Sequence, residues 1–192
     1  MVLNAVKTKV MLFGDSNNGD IALQMNGSKI EHVSEFKYLG VWLDSQLNFS
    51  LKVDYAVAKA KRSSAKICSL FNGREGISVQ LAVELYKSLV RPYPEYAVTV
   101  WAGMSSKDMD KVEQVQVQCL RRMIGAKAHS SSIAVEVITG TLPMRLRIRD
   151  LCCREYFRII GKDDGHCLRQ LMSTSARKAL CFCPLMYFVC HE

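Results

Sequence analysis

The sequence predicts an α+β protein, with a small antiparallel β unit over residues ~6–43 followed by a mainly α-helical bundle. Three observations lead there. Apolar residues alternate with a period of two in the first quarter of the 192 residues, and with a period near 3.6 from residue 50 to 162. The pair Asn26-Gly27 stands between two early apolar runs, where a hairpin needs residues that accept positive φ. Strands come first and helices afterwards, which is the order of an α+β chain rather than of βαβ repeats.

Each element can be justified in turn. Val6 to Phe13 reads as a first strand, and Ile21 to Met25 and Ile30 to Val33 flank the Asn-Gly turn. Phe36, Tyr38, Val41 and Leu43 form a further strand around Gly40, and a glycine inside a strand pattern points to a bulge or close backbone approach. After Asn48 the period changes. Val53, Ala56, Val57, Ala60, Ile67 and Phe71 share one side of a helix of about 20 residues. Lys52, Lys59, Arg62 and Lys66 share the adjacent side, and Asn72-Gly73 closes the helix.

A second helix opens at Ser78, carries Leu81, Leu85, Tyr86 and Leu89, and stops before Pro92. Arg91-Pro92-Tyr93-Pro94 is a stiff break leading to the apolar stretch Tyr96 to Trp101. A third helix opens at Ser105 or Ser106 with Asp108 near its positive end. It turns Met109, Val112, Cys119, Leu120 and Met123 inward and ends at Gly125. His129 to Ser132 reads as a polar loop capping a short helix, Ile133 to Ile138, that ends at Gly140. Pro143 opens a last helix reaching Ile160. Met144, Ile148, Leu151 and Ile159 lie on one face of it and Leu146, Phe157 and Ile160 on another, so it is expected to be sandwiched. Arg147, Arg154 and Arg158 run between those faces, with Asp150 and Glu155 within reach. The organisation expected is 1–49, 50–125, 126–162 and a poorly patterned tail, 163–192.

The net charge of +8 is uneven, since residues 50–71 carry +4 and residues 121–162 carry +6. Two basic blocks on helices suit a polyanionic partner, or else a solvated face. Eight cysteines without a signal peptide point to reduced thiols and a cytoplasmic or nuclear chain. No apolar run is long enough to span a bilayer, so no membrane partner is expected.

Several segments together carry a resemblance. Leu3-Asn4-Ala5-Val6-Lys7-Thr8, then Phe36-Lys37-Tyr38-Leu39-Gly40-Val41 with Asp44 and Leu47-Asn48-Phe49, then Arg91 with Tyr96 and Trp101, then Cys119 to Gly125 and Leu142-Pro143, fall in a fixed order. This order resembles the palm edge, primer grip, thumb and post-thumb region of reverse transcriptases from non-LTR (LINE-type) retrotransposons, over roughly residues 1–162. The resemblance implies that Lys7 matches the lysine near the incoming triphosphate, where an amine can protonate a leaving pyrophosphate. It implies that Tyr38, Leu39 and Gly40 belong to the hairpin holding the primer end, and that residues 50–125 form a thumb. Lys59, Arg62 and Lys66 would then contact phosphates of an RNA–DNA or DNA duplex without reading sequence.

The same resemblance implies that magnesium belongs to the full-length enzyme, bound by carboxylates upstream of the block containing Lys7. The only Asp-Asp pair, Asp163-Asp164, has no aromatic two residues before it and reads as a loop. The expectation is therefore a truncated reverse transcriptase, without catalytic activity or cofactor of its own, that binds template–primer non-specifically. Self-association through the uncovered palm-facing surface is a second expected partnership. The rival reading is a helical protein-interaction or structural module. Cys181, Cys183 and His191 fall short of a tetrahedral zinc shell in number and spacing, and no metal is expected there. His129 with Ser130 to Ser132 lacks the acid and nucleophile turn of a hydrolase.

Overall fold

A computed structural model describes residues 8–13, 23–25, 27–70 and 78–173. The chain divides into two compact units, Met1–Lys52 and Val53–Glu192. The first is built from strands and the second from helices, an α+β arrangement.

Among its described residues the first unit holds six short strands, β1 (Lys9–Val10), β2 (Gln24–Met25), β3 (Ser28–Lys29), β4 (Glu31–His32), β5 (Glu35–Tyr38) and β6 (Val41–Asp44). They pair as three separate ribbons, and two of these, β2–β3 and β5–β6, are antiparallel. The β1–β4 pair is parallel, with Lys9 opposite Glu31 and joined to it by an ion pair. Gly27 has φ +75°, as the hairpin between β2 and β3 requires, whereas Asn26 lies outside the described residues. The stretch around Gly40 is a hairpin and not one bulged strand. Leu39 (φ 46°) and Gly40 (φ 81°) are both left-handed and form its two-residue turn, so Tyr38 faces Val41 across the ribbon.

Asp44 ends this hairpin and organises the turn into the first helix. Its carboxylate accepts hydrogen bonds from the backbone N–H groups of Gln46 (3.0 Å), Asn48 (3.1 Å) and Phe49 (3.1 Å). Three donors on one anion hold a turn in which Leu47 and Phe49 both adopt positive φ. Helix α1 (Ser50–Leu70) begins at the next residue.

The second unit continues with α2 (Val79–Leu85), a π-helical turn (Tyr86–Val90), α3 (Pro92–Glu95), α4 (Val98–Trp101), α5 (Ser106–Met123), α6 (Ser132–Thr139), α7 (Met144–Ile160) and α8 (Cys167–Ser173). Ser78 caps α2 by accepting from Leu81 N–H, and Ser105 caps α5 by accepting from Asp108 N–H. Gly125 and Gly140 close α5 and α6 in the left-handed conformation. Ala60 and Ile67 of α1, Ala82, Tyr86 and Val90, then Val115, Cys119, Leu120 and Met123 of α5 and Val135 of α6 form one buried cluster. Helix α4 packs on α7 beneath the fully buried Trp101, whose indole N–H donates to the Tyr96 carbonyl at 2.9 Å.

Polar groups tie these helices together. The Tyr86 hydroxyl donates to Gln116 Oε1 at 2.9 Å, and Gln116 Nε2 donates to the Leu142 carbonyl at 2.9 Å. Burial holds the Tyr86 phenol well above its ordinary pKa. Lys111 on α5 bridges Asp108 and Asp54 of α1 at 2.9 Å each, and these two carboxylates hold its ammonium above the usual lysine range.

Several expected orientations change. The core face of α2 and the π turn is Ala82, Val83, Tyr86 and Val90, while Leu81 and Leu89 are exposed. Lys52 is only 2% exposed, because it stands one turn from Ala56 beside the core face rather than on the solvent side. Helix α7 buries Met144, Ile148 and Cys152 but leaves Leu146 and Phe157 exposed, so it is packed on one side and not sandwiched. The Pro92–Glu95 segment is itself a helical turn, because proline suits the first positions of a helix. No helix of the described residues is long and apolar enough to cross a membrane.

Candidate nucleic-acid interface

The first candidate group sits at the tip of the β5–β6 hairpin. Tyr38 (59% exposed), Leu39 (74% exposed) and Gly40 are adjacent there. A leucine held at positive φ is strained, and it presents an apolar side chain to solvent beside an exposed phenol. Behind the tip the Lys37 ammonium lies 6.0 Å from the centre of the Trp42 ring. The tip thus projects one aromatic and one aliphatic side chain, with Lys37 one residue pair behind them.

The second group lies on α1. Arg62 and Lys66 are exposed, one turn apart, and Lys59 is half-buried with its ammonium 5.5 Å from the Tyr55 ring centre. No carboxylate pairs with Lys59, Arg62 or Lys66 among the described residues. The sequence stripe is therefore present as a surface, apart from the buried Lys52. Lys7 lies outside the described residues, as do Cys181, Cys183 and His191. Among the described residues no group of three His, Cys, Asp or Glu side chains could hold a metal ion.

The arginines of α7 behave differently. Arg147 donates through Nε and Nη2 to the two oxygens of Glu95, at 2.7 and 3.5 Å, and through Nη1 to Asp150 at 3.2 Å. Hydrogen bonding to Glu95 raises its pKa further. Arg154 pairs with Asp150 at 3.0 Å and Arg158 with Glu155, which holds the Glu155 carboxyl below its ordinary value. This stripe is neutralised within the fold.

The polar loop before α6 does not cap it through a side chain. Ser131 occupies the N-cap position without a side-chain hydrogen bond, and the loop instead supplies the Ser130 carbonyl to the Arg121 guanidinium. Sequence reasoning misses three further cations, Lys61, Arg121 and Arg122. Their signals are membership of the two basic blocks and, for Arg121 and Arg122, of the segment Cys119 to Gly125, and no local pattern places Lys61 beside residues of α5.

Comparison with known proteins gives the chain its relatives. It is 28% identical over 124 residues to the RNA-directed DNA polymerase from mobile element jockey of Drosophila melanogaster, covering 65% of this chain and 14% of that protein. The corresponding Drosophila funebris protein is 25% identical over 177 residues, 92% of this chain and 19% of its own length. The probable RNA-directed DNA polymerase from transposon X-element of Drosophila melanogaster is 26% identical over 91 residues, 47% of this chain and 10% of its own length. The chain thus spans less than a fifth of the length of these curated relatives. No family model matches it, and neither does any solved structure. In sequence the chain is a low-identity homologue of the RNA-directed DNA polymerases of LINE-type mobile elements.

Proposed function

We propose that these 192 residues bind template–primer nucleic acid without sequence preference, as a primer-grip hairpin and thumb do, and do not polymerise on their own. The observation that carries this reading is the α1 surface. Arg62 and Lys66 are exposed and unpaired by any carboxylate among the described residues, in a chain related to RNA-directed DNA polymerases. Cations left without internal partners are available for phosphates, and their binding releases counterions. The exposed Tyr38 and Leu39 tip offers a ring and an apolar edge to a terminal nucleotide. Lys7 would serve the incoming triphosphate only beside metal-binding aspartates, and the sequence contains no Tyr/Phe-x-Asp-Asp box to supply them.

Two measurements test this. Binding to a labelled RNA–DNA hybrid should weaken steeply between low and moderate salt. Primer extension on an RNA template with magnesium or manganese should stay at the no-protein level, and incorporation above it overturns the non-catalytic part.

A second reading, a helical protein-interaction module, is favoured by one observation. Ile133, Val137 and Ile138 of α6, with Leu142 and Leu146, are large apolar side chains that the described fold leaves exposed. Sedimentation that changes with protein concentration, and is abolished by Val137→Lys, would support it. Absence of hybrid binding at low salt together with such self-association decides in its favour.

A further inference from the structure

Helix α1 has two basic flanks. With 100° between successive residues, Lys59, Arg62 and Lys66 lie on one side of the core face. Lys61 lies on the other side, about 130° around the axis from them. There α1 and α5 border a groove of about 640 Å³. Lys61 and Ser64 line it from α1, and Gln118, Arg121 and Arg122 line it from α5. No carboxylate is among its lining residues. Two other clefts of this unit contain carboxylates: Asp110, Glu113 and Glu136 in one, which Arg121 also lines from its other side, and Glu95 and Glu155 beside Arg154 and Arg158 in the other.

The groove also holds unused polar capacity. Arg121 is fixed by its bond to the Ser130 carbonyl, and its buried Nε has no hydrogen-bond partner. The buried Ser64 hydroxyl has no hydrogen-bond partner and lies beside the Cys119 thiol. Burial pushes that thiol up, so it stays neutral and does not compete for the cations. Beyond Gly125 the rim is formed by Ala126 and Ala128, whose small side chains let a polymer backbone approach.

We propose that this groove between α1 and α5 binds the sugar–phosphate backbone of a nucleic-acid strand, as a surface separate from the Lys59–Lys66 flank. It deepens the template–primer reading and rests on nucleic acid being the partner. Three cations with Ser and Gln donors suit phosphodiester oxygens, and no aromatic side chain lines the groove to stack on bases. The contacts position a strand and do not read its sequence.

The test uses the full chain and fluorescence anisotropy with a labelled RNA–DNA hybrid across a salt series. Lys61→Gln/Arg122→Gln removes two groove charges at exposed positions, Arg62→Gln/Lys66→Gln removes two flank charges, and Lys61→Arg/Arg122→Lys keeps the groove charge. Circular dichroism checks that each is folded. The groove variant should bind on the order of tenfold more weakly, with a salt slope about two units shallower, and the charge-keeping variant should bind as the parent does. If the groove variant binds like the parent while the flank variant loses affinity, the groove is overturned and the broader reading stands. If the parent itself shows no salt-dependent binding, both fall. Inorganic pyrophosphate at matched ionic strength should displace the hybrid poorly. If it instead erases the difference between parent and groove variant, the site takes small anions and the backbone assignment is overturned.

Discussion

Helix α1 and helix α7 are both basic, and the fold treats them in opposite ways. On α7 each of Arg147, Arg154 and Arg158 has a carboxylate partner, and Arg147 reaches across to Glu95 beside α4. On α1, Lys61, Arg62 and Lys66 have no such partner among the described residues. The same residue types are structural in one place and available in the other, and the difference lies in the neighbours. Acidic residues stand three or four positions from the α7 arginines, whereas Asp54, the acidic residue of α1, is taken by Lys111. A count of positive charge cannot separate these cases, but the pairing pattern does.

The largest effect should come from breaking the paired side. Glu95→Ala takes one carboxylate from two partly buried guanidiniums, Arg91 and Arg147, the latter keeping only Asp150, and should cost about 2 kcal/mol of stability in urea unfolding. Hybrid binding at a temperature where the variant is folded should be unaltered. A loss of binding without a loss of stability would reverse the assignment of roles. Next, Arg62→Gln/Lys66→Gln should do the converse, with affinity for a hybrid down by roughly tenfold at low salt and the urea midpoint unmoved.

Tyr86→Phe is smaller and concerns the scaffold shared by both surfaces. Losing the hydroxyl leaves Gln116 Oε1 buried without its donor, at a cost of about 1 kcal/mol. Because burial raises the Tyr86 pKa in the folded state, its contribution is complete below the ordinary tyrosine value near pH ~10 and is lost as pH rises beyond it. Stability measured at neutral and strongly alkaline pH should therefore fall less steeply for Tyr86→Phe than for the parent. The smallest effect is expected for Arg158→Gln, which removes an exposed pair with Glu155 and should change neither hybrid affinity nor the urea midpoint measurably.

Much of the helical unit is legible in the sequence because it is written locally. The 3.6 period places the start of α1 and both ends of α5 and α7 within two residues, while Phe71 and Asn72-Gly73, expected to close α1, lie outside the described residues. Ser105, Gly125 and Gly140 mark helix termini by their own chemistry. The two-residue turn at Leu39-Gly40 escapes the residue pattern, because leucine carries no preference for positive φ and hides half of the turn signal, and only the resemblance implies a hairpin there. Hydrophobicity alone places Leu81 and Leu89 inward. The core beside them takes Ala82 and Tyr86 instead, and the π turn rotates Leu89 out of phase with an ordinary helix. The groove is invisible for another reason, since Lys61 and Arg122 meet only when α1 and α5 are brought side by side.

The π turn has a consequence for how this segment tolerates change in length. Arg91 N–H reaches back five residues to the Tyr86 carbonyl at 2.8 Å, so the stretch carries one residue more than a regular helix would use. Deleting Lys87 or Ser88, both exposed, would let the ladder close as an ordinary α-helix and keep the hydrogen bonds. The lost residue takes away about 100° of rotation and the tighter α turn returns most of it, so side chains beyond the deletion keep roughly their facing. Val90 would stay on the core side, and the Pro92–Glu95 turn would keep Glu95 towards Arg147. A single surplus residue is thus absorbed by the wide turn, a removable insertion that leaves the helix before it in step with the ion pair after it.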